Sequence, residues 1–555
     1  MDSKPWLKSY PEGVPAEIDP NTYSSVVDVF TTSIEQYPNN PAFTNFGKTI
    51  SYNELDKATQ QFASWLQHEA GLVKGDRIAI MMPNLLQYPV AVFGALRAGL
   101  VVVNTNPLYT DRELEHQLTD SGAKAIVVVE AFAHTVADVI GRTDVKTVIT
   151  TRFGDMLSFP KSMILNFVIK HVKKMVKPFS LPGSHSFKDV LAKGASLPAA
   201  TADLHHDDIA FLQYTGGTTG VAKGAMLTHG NMTANITQAY HWIAASDPDE
   251  GNELIITALP LYHIFALTAN CLTYMKLGAH NVLITNPRDM PGFVKELKKH
   301  KFTAFTGVNT LFNALLNTPG FSDLDFSSLK LTLGGGMAVQ RAVADEWKQV
   351  TGNPLIEAYG LTETSPAACI NPFSLDGFNE SIGLPLSSTD ASIRDPDNKA
   401  VPIGESGELC IRGPQVMKGY WNKPEATAET IDSEGWLHTG DVAIMDEKGF
   451  FRIVDRLKDM ILVSGFNVYP NEIEAVLAMM PGVLESGAIG IPDDHSGETV
   501  KVVIVKKDPS LTKEQVLAHC KEELTGYKRP KVVQFVDELP KTNVGKILRR
   551  ELREL

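Results

Sequence analysis

The segment Tyr214–Gly224 combines the residue types that bind phosphate. Four glycines, three threonines and Lys223 fall within its sequence, one residue after the apolar run Ile209–Leu212. Glycines let backbone N–H groups close around an anion, threonine hydroxyls add donors, and a lysine adds positive charge. The lysine is followed by Gly224 rather than by serine or threonine, so the segment is not a Walker A loop. The pattern predicts a strand that leads into a phosphate-binding loop outside the common class of P-loop NTPases.

Other candidate groups carry weaker signals when each is taken alone. Lys546 is one of several basic residues near the C-terminal end, Asp441 follows a glycine, and His263 stands alone in an apolar run. Each has an ordinary structural explanation, as a solvated charge, a turn residue or a packed histidine. Glu363 offers the hard oxygen that Mg²⁺ prefers, but an exposed carboxylate is common. Their roles therefore depend on the motifs around them.

Strands and helices alternate along most of the chain, as expected for parallel sheets covered by helices. The predicted strands lie at 77–82, 101–104, 125–129, 254–258, 281–284, 500–505 and 532–536. The predicted helices lie at 53–66, 90–96, 471–479 and 513–524. From about 380 to 455 glycines become frequent and short β-runs dominate, which indicates a β-rich subdomain. We expect an α/β fold with a large N-terminal domain (1–455) and a small, mobile α+β C-terminal domain (459–555).

The length, net charge and cysteine content of the chain exclude several classes of protein. A chain of 555 residues is too long for one core, and its net charge of −13 argues against a nucleic-acid surface. The four cysteines form no C-x-x-C pair, so neither structural zinc nor a disulfide framework is expected. The N-terminus has no apolar signal region, and the most apolar stretch, 88–103, is interrupted by Arg97 and too short to span a bilayer. We expect a cytoplasmic location.

Five motifs in order resemble those of the adenylate-forming (AMP-binding) superfamily. They are the loop at 214–224, Tyr359–Thr364, Gly435–Asp441, Asp455–Asp459 and Pro540–Lys546. The segments 463–474 and 545–552 resemble in particular the bacterial long-chain fatty acyl-CoA ligases. The resemblance implies two half-reactions: a fatty acid carboxylate attacks the α-phosphorus of ATP to give acyl-AMP and pyrophosphate, and the CoA thiol then displaces AMP. ATP, CoA and the fatty acid are the implied substrates, with Mg²⁺ accompanying ATP.

The resemblance also implies roles for individual residues. Lys546 would bridge the carboxylate and the α-phosphate, Glu363 would bind the metal with help from Thr218, and His263 would position groups at the entrance of the acyl site. Asp441 would accept hydrogen bonds from the ribose hydroxyls. The residues implied to contact ATP are Tyr214, Thr215, Gly216, Gly217, Thr218, Thr219, Gly220, Val221, Ala222, Lys223, Gly224, Ala225, Gly334, Gly335, Gly336, Tyr359, Gly360, Thr362, Asp441 and Arg456.

Movement of the small domain is part of what the resemblance implies. The hinge would lie at 456–458 with Lys458 as its central residue, and Gly465 would line the pantetheine tunnel in the rotated state. The acyl pocket would lie near Gly307 and Val308 in an apolar segment. The plain alternative is that this segment is simply core.

The segment 161–177 is unusual in an acidic chain, since it holds five lysines and no acid. On a helical wheel, Ile164, Leu165, Val168, Val172 and Met175 share one face, and Asn166 and four of the lysines share the other. Such a helix either lies in a bilayer interface or docks on its own domain. Resemblance to peripheral enzymes of the inner membrane favours contact with the cytoplasmic face of that membrane. The sequence does not decide whether the protein forms a homodimer.

Four other functions are compatible with parts of the pattern. One is luciferase-like light emission, which would need an additional oxidisable substrate. Adenylation of a medium-chain or aryl acid would require only a different acyl pocket. A carrier-protein adenylation module fits less well because no carrier segment follows. A nucleotide-binding sensor has no need of Lys546, so the set Lys223, Glu363, Asp441, Arg456 and Lys546 favours an enzyme.

Overall fold

The computed structural model of the chain describes residues 4–215, 222–493 and 495–555. Its strands are β1 (Pro41–Asn45), β2 (Lys48–Ser51), β3 (Arg77–Met81), β4 (Val101–Thr105), β5 (Ala125–Val129), β6 (Thr147–Thr151), β7 (His185–Ser186), β8 (Ile209–Thr215), β9 (Lys223–Thr228), β10 (Leu254–Thr257), β11 (His280–Leu283), β12 (Ala304–Gly307), β13 (Leu331–Gly334), β14 (Leu355–Gly360), β15 (Ala367–Ile370), β16 (Leu384–Pro385), β17 (Asp390–Arg394), β18 (Ser406–Arg412), β19 (Leu437–Met445), β20 (Phe451–Arg456), β21 (Ile461–Val463), β22 (Phe466–Val468), β23 (Val483–Asp493), β24 (Gly497–Lys506) and β25 (Val532–Val536).

The α-helices are α1 (Val26–Gln36), α2 (Tyr52–His68), α3 (Gln87–Arg97), α4 (Asp111–Ser121), α5 (Ala133–Val139), α6 (Lys161–Phe167), α7 (Phe187–Gly194), α8 (His229–Ala244), α9 (Tyr274–Lys276), α10 (Met290–Leu297), α11 (Asn309–Leu316), α12 (Arg341–Thr351), α13 (Pro424–Thr430), α14 (Pro470–Ala478), α15 (Lys513–Glu523) and α16 (Arg549–Leu552). Short 3₁₀ turns lie at Pro5–Ser9, Glu130–Phe132, Ile140–Arg142, Thr362–Thr364 and Gly526–Lys528, and π-helical turns at Val168–Val172 and Ala266–Thr273.

Two large, mostly parallel sheets build the first part of the chain. One has the order β7-β6-β5-β3-β4-β8-β9, and the other has the order β16-β15-β14-β13-β12-β10-β11-β1-β2. Their central strands are buried along nearly their whole length, which is why the sequence shows apolar runs there rather than alternation. Helices α2 and α8 begin at capping boxes, Ser51 with Glu54 and Thr228 with Asn231, which satisfy the first free N–H groups of each helix.

Two smaller sheets follow. Strands β17 to β20 form a four-stranded antiparallel sheet, which is the predicted β-rich part. Strands β21 to β25 form the last sheet, in the order β22-β21-β24-β23 with β25 parallel to β24. Helices α14 and α15 enclose a separate apolar core with this sheet, centred on Ile473, Val502 and Val516. The α/β architecture predicted from the sequence is therefore confirmed.

The basic segment 161–177 departs from the predicted wheel. Helix α6 passes into a π-helical turn at Val168, and Lys174 has φ +51°, so the segment is not one regular helix. Asn166 was assigned to the solvent face, which is wrong: its Oδ1 accepts a hydrogen bond from the Gly154 N–H at 2.8 Å. Val172, which the wheel places on the apolar face, is 64% exposed, so this part of the apolar face is not packed on the domain. Within the described residues, no helix is both long and apolar enough to cross a membrane.

Candidate active site

The candidate site lies where neighbouring parallel strands end. Gly307, Gly334 and Glu357 stand side by side in register on β12, β13 and β14. The carboxyl ends of parallel strands are where open α/β sheets bind ligands. A Cβ on Gly334 would approach Leu355 and Val339 within 2.8 Å, and one on Gly335 would lie 3.1 Å from the Ala358 carbonyl oxygen. These glycines therefore allow the strand ends and the following loop to pack closely.

Strands β8 and β9 deliver the two flanks of the glycine-rich loop. They pair antiparallel, with Tyr214 opposite Gly224 and Thr215 opposite Lys223. A Cβ on Gly224 would lie 3.0 Å from the Tyr214 ring, so a larger residue here would have to displace that ring. On the C-terminal flank of the loop, the Ala222 carbonyl oxygen lies within hydrogen-bond distance of His116 Nε2, at 3.0 Å. Ala225 on the same flank is fully buried. The predicted phosphate ligands Gly216, Gly217, Thr218, Thr219, Gly220 and Val221 lie outside the described residues.

Asp441 is held by Tyr359 and Arg456, which belong to two of the other motifs. Tyr359 donates its hydroxyl proton to Asp441 Oδ2 at 2.6 Å, and Arg456 Nε lies 3.1 Å from Oδ1. Asp441 and Arg456 are also direct cross-strand neighbours on β19 and β20. Burial, together with the charge of Asp441, raises the pKa of the Tyr359 hydroxyl well above its usual range. The result is a fixed carboxylate beside an aromatic ring, an arrangement suited to a ribose and its base.

Glu363 lies in the 3₁₀ turn after β14, beside Thr362. Tyr420 donates to its Oε1 at 2.6 Å, and the Met417 N–H donates to its backbone oxygen at 2.8 Å. The Tyr420 ring also lies beneath Lys223, whose Nζ is 4.8 Å from the ring centre. Tyr420 thus joins the candidate metal ligand to the lysine of the phosphate loop. Sequence reasoning missed this residue, because its contact with Glu363 spans 57 positions.

Lys546 enters the site on a tight turn. The Thr542 N–H donates to the Lys546 carbonyl oxygen at 2.7 Å, and the Lys546 N–H donates to Thr542 Oγ1 at 3.1 Å. Gly545 has φ +86°, and a Cβ there would lie 2.8 Å from Thr310 Oγ1. Thr310 itself donates to the Gly545 carbonyl oxygen at 2.9 Å, which ties the turn to α11. Any side chain at 545 would therefore push the lysine out of place.

The surroundings of Lys546 make it an unusual lysine. Its Cε lies 3.5 Å from where a Cβ would stand on Gly336. Burial and the nearby charge of Arg456 lower its pKa to about 8, although the charges of Asp441 and Glu363 act in the opposite direction. Burial also lowers the pKa of His263 to about 3, with a smaller contribution from Lys546, so this histidine is neutral near pH 7. Its Nδ1 accepts from the Phe265 N–H at 3.3 Å.

A second missed group is Glu357, which is 7% exposed at the end of β14. Burial raises its pKa to about 8, and its carboxyl accepts a hydrogen bond from the Val339 N–H at 3.1 Å. A carboxyl group kept protonated near neutral pH can donate a hydrogen bond as well as accept one. The sequence signal that could have found it is its place two residues before the motif Tyr359–Thr364, in which a Cβ on Gly360 would overlap the Pro366 carbonyl oxygen.

Of the remaining predicted residues, Gly307 and Val308 lie near this centre, whereas Lys458 and Gly465 do not. A Cβ on Gly307 would meet the Phe312 ring at 2.8 Å, and Val308 is buried next to Gly336 and Gly545. Lys458 is exposed in the turn between β20 and β21. Gly465 has φ +82° and faces open space in the turn between β21 and β22. Neither Lys458 nor Gly465 belongs to the cluster around Lys546.

Arg549 fastens the end of the chain to the region around 456–458. Its guanidinium contacts Asp459 at 3.2 Å, Glu474 at 2.8 Å and Asp455 at 3.4 Å, and Asp455 is fully buried. These carboxylates together raise the pKa of Arg549 above its usual range although burial opposes this. Arg549 follows the turn that holds Lys546, so its ion pairs fix the chain just after that turn.

Arg549→Met is therefore expected to destabilise the fold by about 3–5 kcal/mol, because it leaves buried carboxylates without a counter-charge. The free energy of unfolding in urea measures the effect. Arg550→Met is the matched control, since Arg550 is exposed and forms no ion pair within the described residues. Equal unfolding midpoints for the two variants would contradict the anchor.

Comparison with known proteins agrees with this geometry. The family model described as AMP-binding enzyme matches residues 30–421, and that of the AMP-binding enzyme C-terminal domain matches residues 472–546. A protein of Escherichia coli O6:H1 named long-chain-fatty-acid–CoA ligase is 59% identical over 99% of this chain and 98% of its own length. A Bacillus subtilis protein of the same name is 39% identical over 100% of this chain and 98% of its own.

Solved structures share the whole architecture. An anthranilate CoA ligase in complex with anthranoyl-AMP superposes with a TM-score of 0.85 at 25% identity, covering 97% of this chain and 98% of its own. ATP-bound MatB from Rhodopseudomonas palustris superposes with a TM-score of 0.81 at 30% identity, covering 95% and 98%. The resemblance inferred from the five motifs is confirmed, and the chain belongs to the AMP-binding enzyme family.

Proposed function

We propose that this protein is an ATP-dependent ligase that joins long-chain fatty acids to CoA through an acyl-adenylate. The observation that carries the proposal is the full-length identity of 54–59% to six proteins named long-chain-fatty-acid–CoA ligase. The meeting of Lys546, Asp441 and Glu363 in one site supports it. A relative of Amycolatopsis named feruloyl-CoA synthase is only 34% identical, so an aryl acid is the weaker candidate.

The first half-reaction requires two anions to meet, and Lys546 supplies the charge that permits this. A fatty acid carboxylate is already ionised near pH 7, so no general base is needed. Its oxygen attacks the α-phosphorus, the bond to the β-phosphate oxygen breaks, and pyrophosphate leaves. Asp441 and Arg456 hold the ribose, Tyr359 lies against the base, and Gly334, Gly335 and Gly336 let the nucleotide approach the backbone. The loop at 214–224 holds the departing phosphates.

Glu363 suits a magnesium ion that accompanies ATP. Its Oε1 accepts from Tyr420, and in the described part of the chain no hydrogen bond to its Oε2 is formed. A carboxylate oxygen in this position is the ligand type that Mg²⁺ prefers. The ion would neutralise phosphate charge when bound. Thr218 and Thr362 are the further candidates for positioning the ion or the phosphates.

The second half-reaction needs the CoA thiol in the place that Lys546 occupies. We propose that residues 459–555 rotate against 1–455 about the hinge 456–458, so that Gly465 lines the pantetheine tunnel. Its open surroundings in this structure fit a residue that acts only after rotation. The alkyl chain would lie near Gly307 and Val308, with His263 positioned at the entrance.

A chain-length series tests the proposed function. ATP–pyrophosphate exchange is measured with acids from short to long chain, and then CoA is added and the thioester quantified. We expect exchange to increase with length by up to about fourfold for each added methylene, which corresponds to about 0.8 kcal/mol. The increase should stop where the pocket ends. Faster exchange with aryl acids than with long-chain acids would overturn the proposal.

We further propose that the protein works in the cytoplasm and contacts the cytoplasmic face of the membrane through the segment 161–177. Its five lysines are all exposed, and each lysine near an anionic bilayer contributes about 1 kcal/mol. Reversing Lys173 and Lys174 to Glu should weaken co-sedimentation with anionic liposomes by about tenfold or more. The control reverses Lys298 and Lys301, which are exposed elsewhere. Equal binding of the two double variants would contradict this contact.

A further inference from the structure

A cavity of about 640 Å³ lies beneath the segment 159–177 and is not part of the candidate active site. Its floor includes residues of β6 and the start of α7, and its roof is α6 with the π-helical turn that follows. The volume falls within the range of small-molecule sites, about 300–1,000 Å³. In the sheet order, β6 is separated from β8 by four strand spacings, or about 19 Å. The cavity is therefore distinct from the nucleotide site.

The wall of the cavity combines apolar side chains with polar and charged ones. Six of the side chains that line it are Phe153, Leu157, Phe159, Met163, Phe167 and Ile169. Three of them are also widely open to solvent: Phe159 is 81% exposed, Phe167 58% and Met163 59%. Exposed apolar side chains grouped within a polar rim are typical of ligand-binding grooves and of surfaces that contact a membrane. The walls suit an alkyl chain.

The rim carries more positive than negative charge. Arg152 pairs with Glu130 at 2.8 Å, and Lys188 lies 3.9 Å from Asp155. Lys170 also lines the cavity and has no carboxylate within 4.0 Å among the described residues. An exposed lysine beside an apolar cavity is suited to the carboxylate of a single-chain amphiphile.

We propose that this cavity receives a long-chain fatty acid anion before it reaches the acyl site, with the alkyl chain against Phe167 and Met163 and the carboxylate at Lys170. The inference rests on the proposed function, which supplies the ligand. The segment 161–177 would then bind the fatty acid as well as the membrane, since a fatty acid dissolved in the bilayer reaches the protein at the surface that contacts lipid.

The test is photolabelling with palmitic acid that carries a diazirine in its chain, in the absence of ATP and CoA. Labelled peptides are mapped by mass spectrometry on the full chain. We expect label within 153–176 as well as near the acyl site, and we expect unlabelled palmitate to compete for both. Label confined to the acyl site would overturn the proposal, and so would stronger competition at the cavity by a two-chain phospholipid than by palmitate.

Two variants separate the cavity from the membrane surface. Phe167→Glu places a carboxylate in the cavity wall, whereas Val172→Glu adds the same charge on the same segment at a side chain that does not line the cavity. We expect Phe167→Glu to lower cavity labelling by about tenfold or more and Val172→Glu to leave it within about twofold. Equal losses in both variants would overturn the cavity as the binding site.

The failure of this inference is distinguishable from failure of the proposed function. Both variants should retain the melting temperature of the parent and its ATP–pyrophosphate exchange with octanoate. Absence of cavity labelling in a parent protein that exchanges normally with palmitate defeats the inference alone. Absence of exchange with any fatty acid in the parent protein defeats the proposed function.

Discussion

Lys546→Ala is expected to lower acyl-adenylate formation by at least about 10²–10³-fold, the loss typical when one group that stabilises transition-state charge is removed. The buried ammonium faces Asp441 and Glu363 on a turn that Gly545 and Thr310 hold in place. It is therefore preorganised where two anions must meet. ATP–pyrophosphate exchange measures this half-reaction. Thioester formation from supplied acyl-AMP should keep most of its rate, since the proposed rotation carries Lys546 away before that step.

The matched control is Lys541→Ala in the same turn. Lys541 is paired with Glu485 at 2.7 Å and so does not serve the site. Its loss should change exchange only slightly. If Lys546→Ala and the control exchanged at equal rates, Lys546 would have no part in acyl-adenylate formation.

The same lysine makes adenylation dependent on pH. Burial lowers its pKa to about 8, so the free enzyme loses the required charge as pH rises through about 8. We expect kcat/KM for ATP, which reports ionisations of the free enzyme, to fall across that range. Lys546→Arg keeps its charge there, so whatever activity this variant retains should fall only at higher pH. Identical alkaline limbs for both proteins would assign the ionisation to another group.

Much of the fold could be predicted because its signals are local. The runs at 125–129 and 532–536 were predicted at the bounds the structure gives, since buried strands are apolar between clear breaks. Helix α2 was predicted three residues too short, at 53–66, although Ser51 and Glu54 mark its capped start. Glycines at Gly334, Gly335 and Gly360 could be tied to the site by motif, and their close backbone contacts explain why.

What could not be predicted depends on partners distant in sequence. The contact of Tyr420 with Glu363 spans 57 residues, and that of Arg549 with Asp455 spans 94. No local pattern distinguishes Arg549 from its exposed neighbour Arg550. The wheel drawn for 161–177 failed for a related reason. It assumed one regular helix, whereas the π-helical turn at Val168 and the contact of Asn166 with Gly154 rotate the faces.

Lys458→Pro should slow thioester formation and leave acyl-adenylate formation intact, which is the opposite of the effect expected for Lys546→Ala. Lys458 is exposed, its φ is not positive, and in the described part of the chain its N–H donates no backbone hydrogen bond outside regular elements. Proline at 458 therefore removes no backbone hydrogen bond described in this turn. It fixes φ near −65° and restricts Leu457 as well, so the large change of dihedral angles that a hinge needs is lost. Exchange should stay close to that of the parent.

Thioester formation from supplied acyl-AMP should fall by about tenfold or more, which corresponds to about 1.4 kcal/mol of barrier. Lys458→Ala is the control, because it removes the side chain and leaves the backbone free. It should retain both half-reactions, since the side chain makes no ion pair within the described residues. Equal losses of exchange and thioester formation in the proline variant would mean that it disturbs the site itself. If the proline variant kept full activity in both half-reactions, the hinge would have to lie at another position in the turn between β20 and β21.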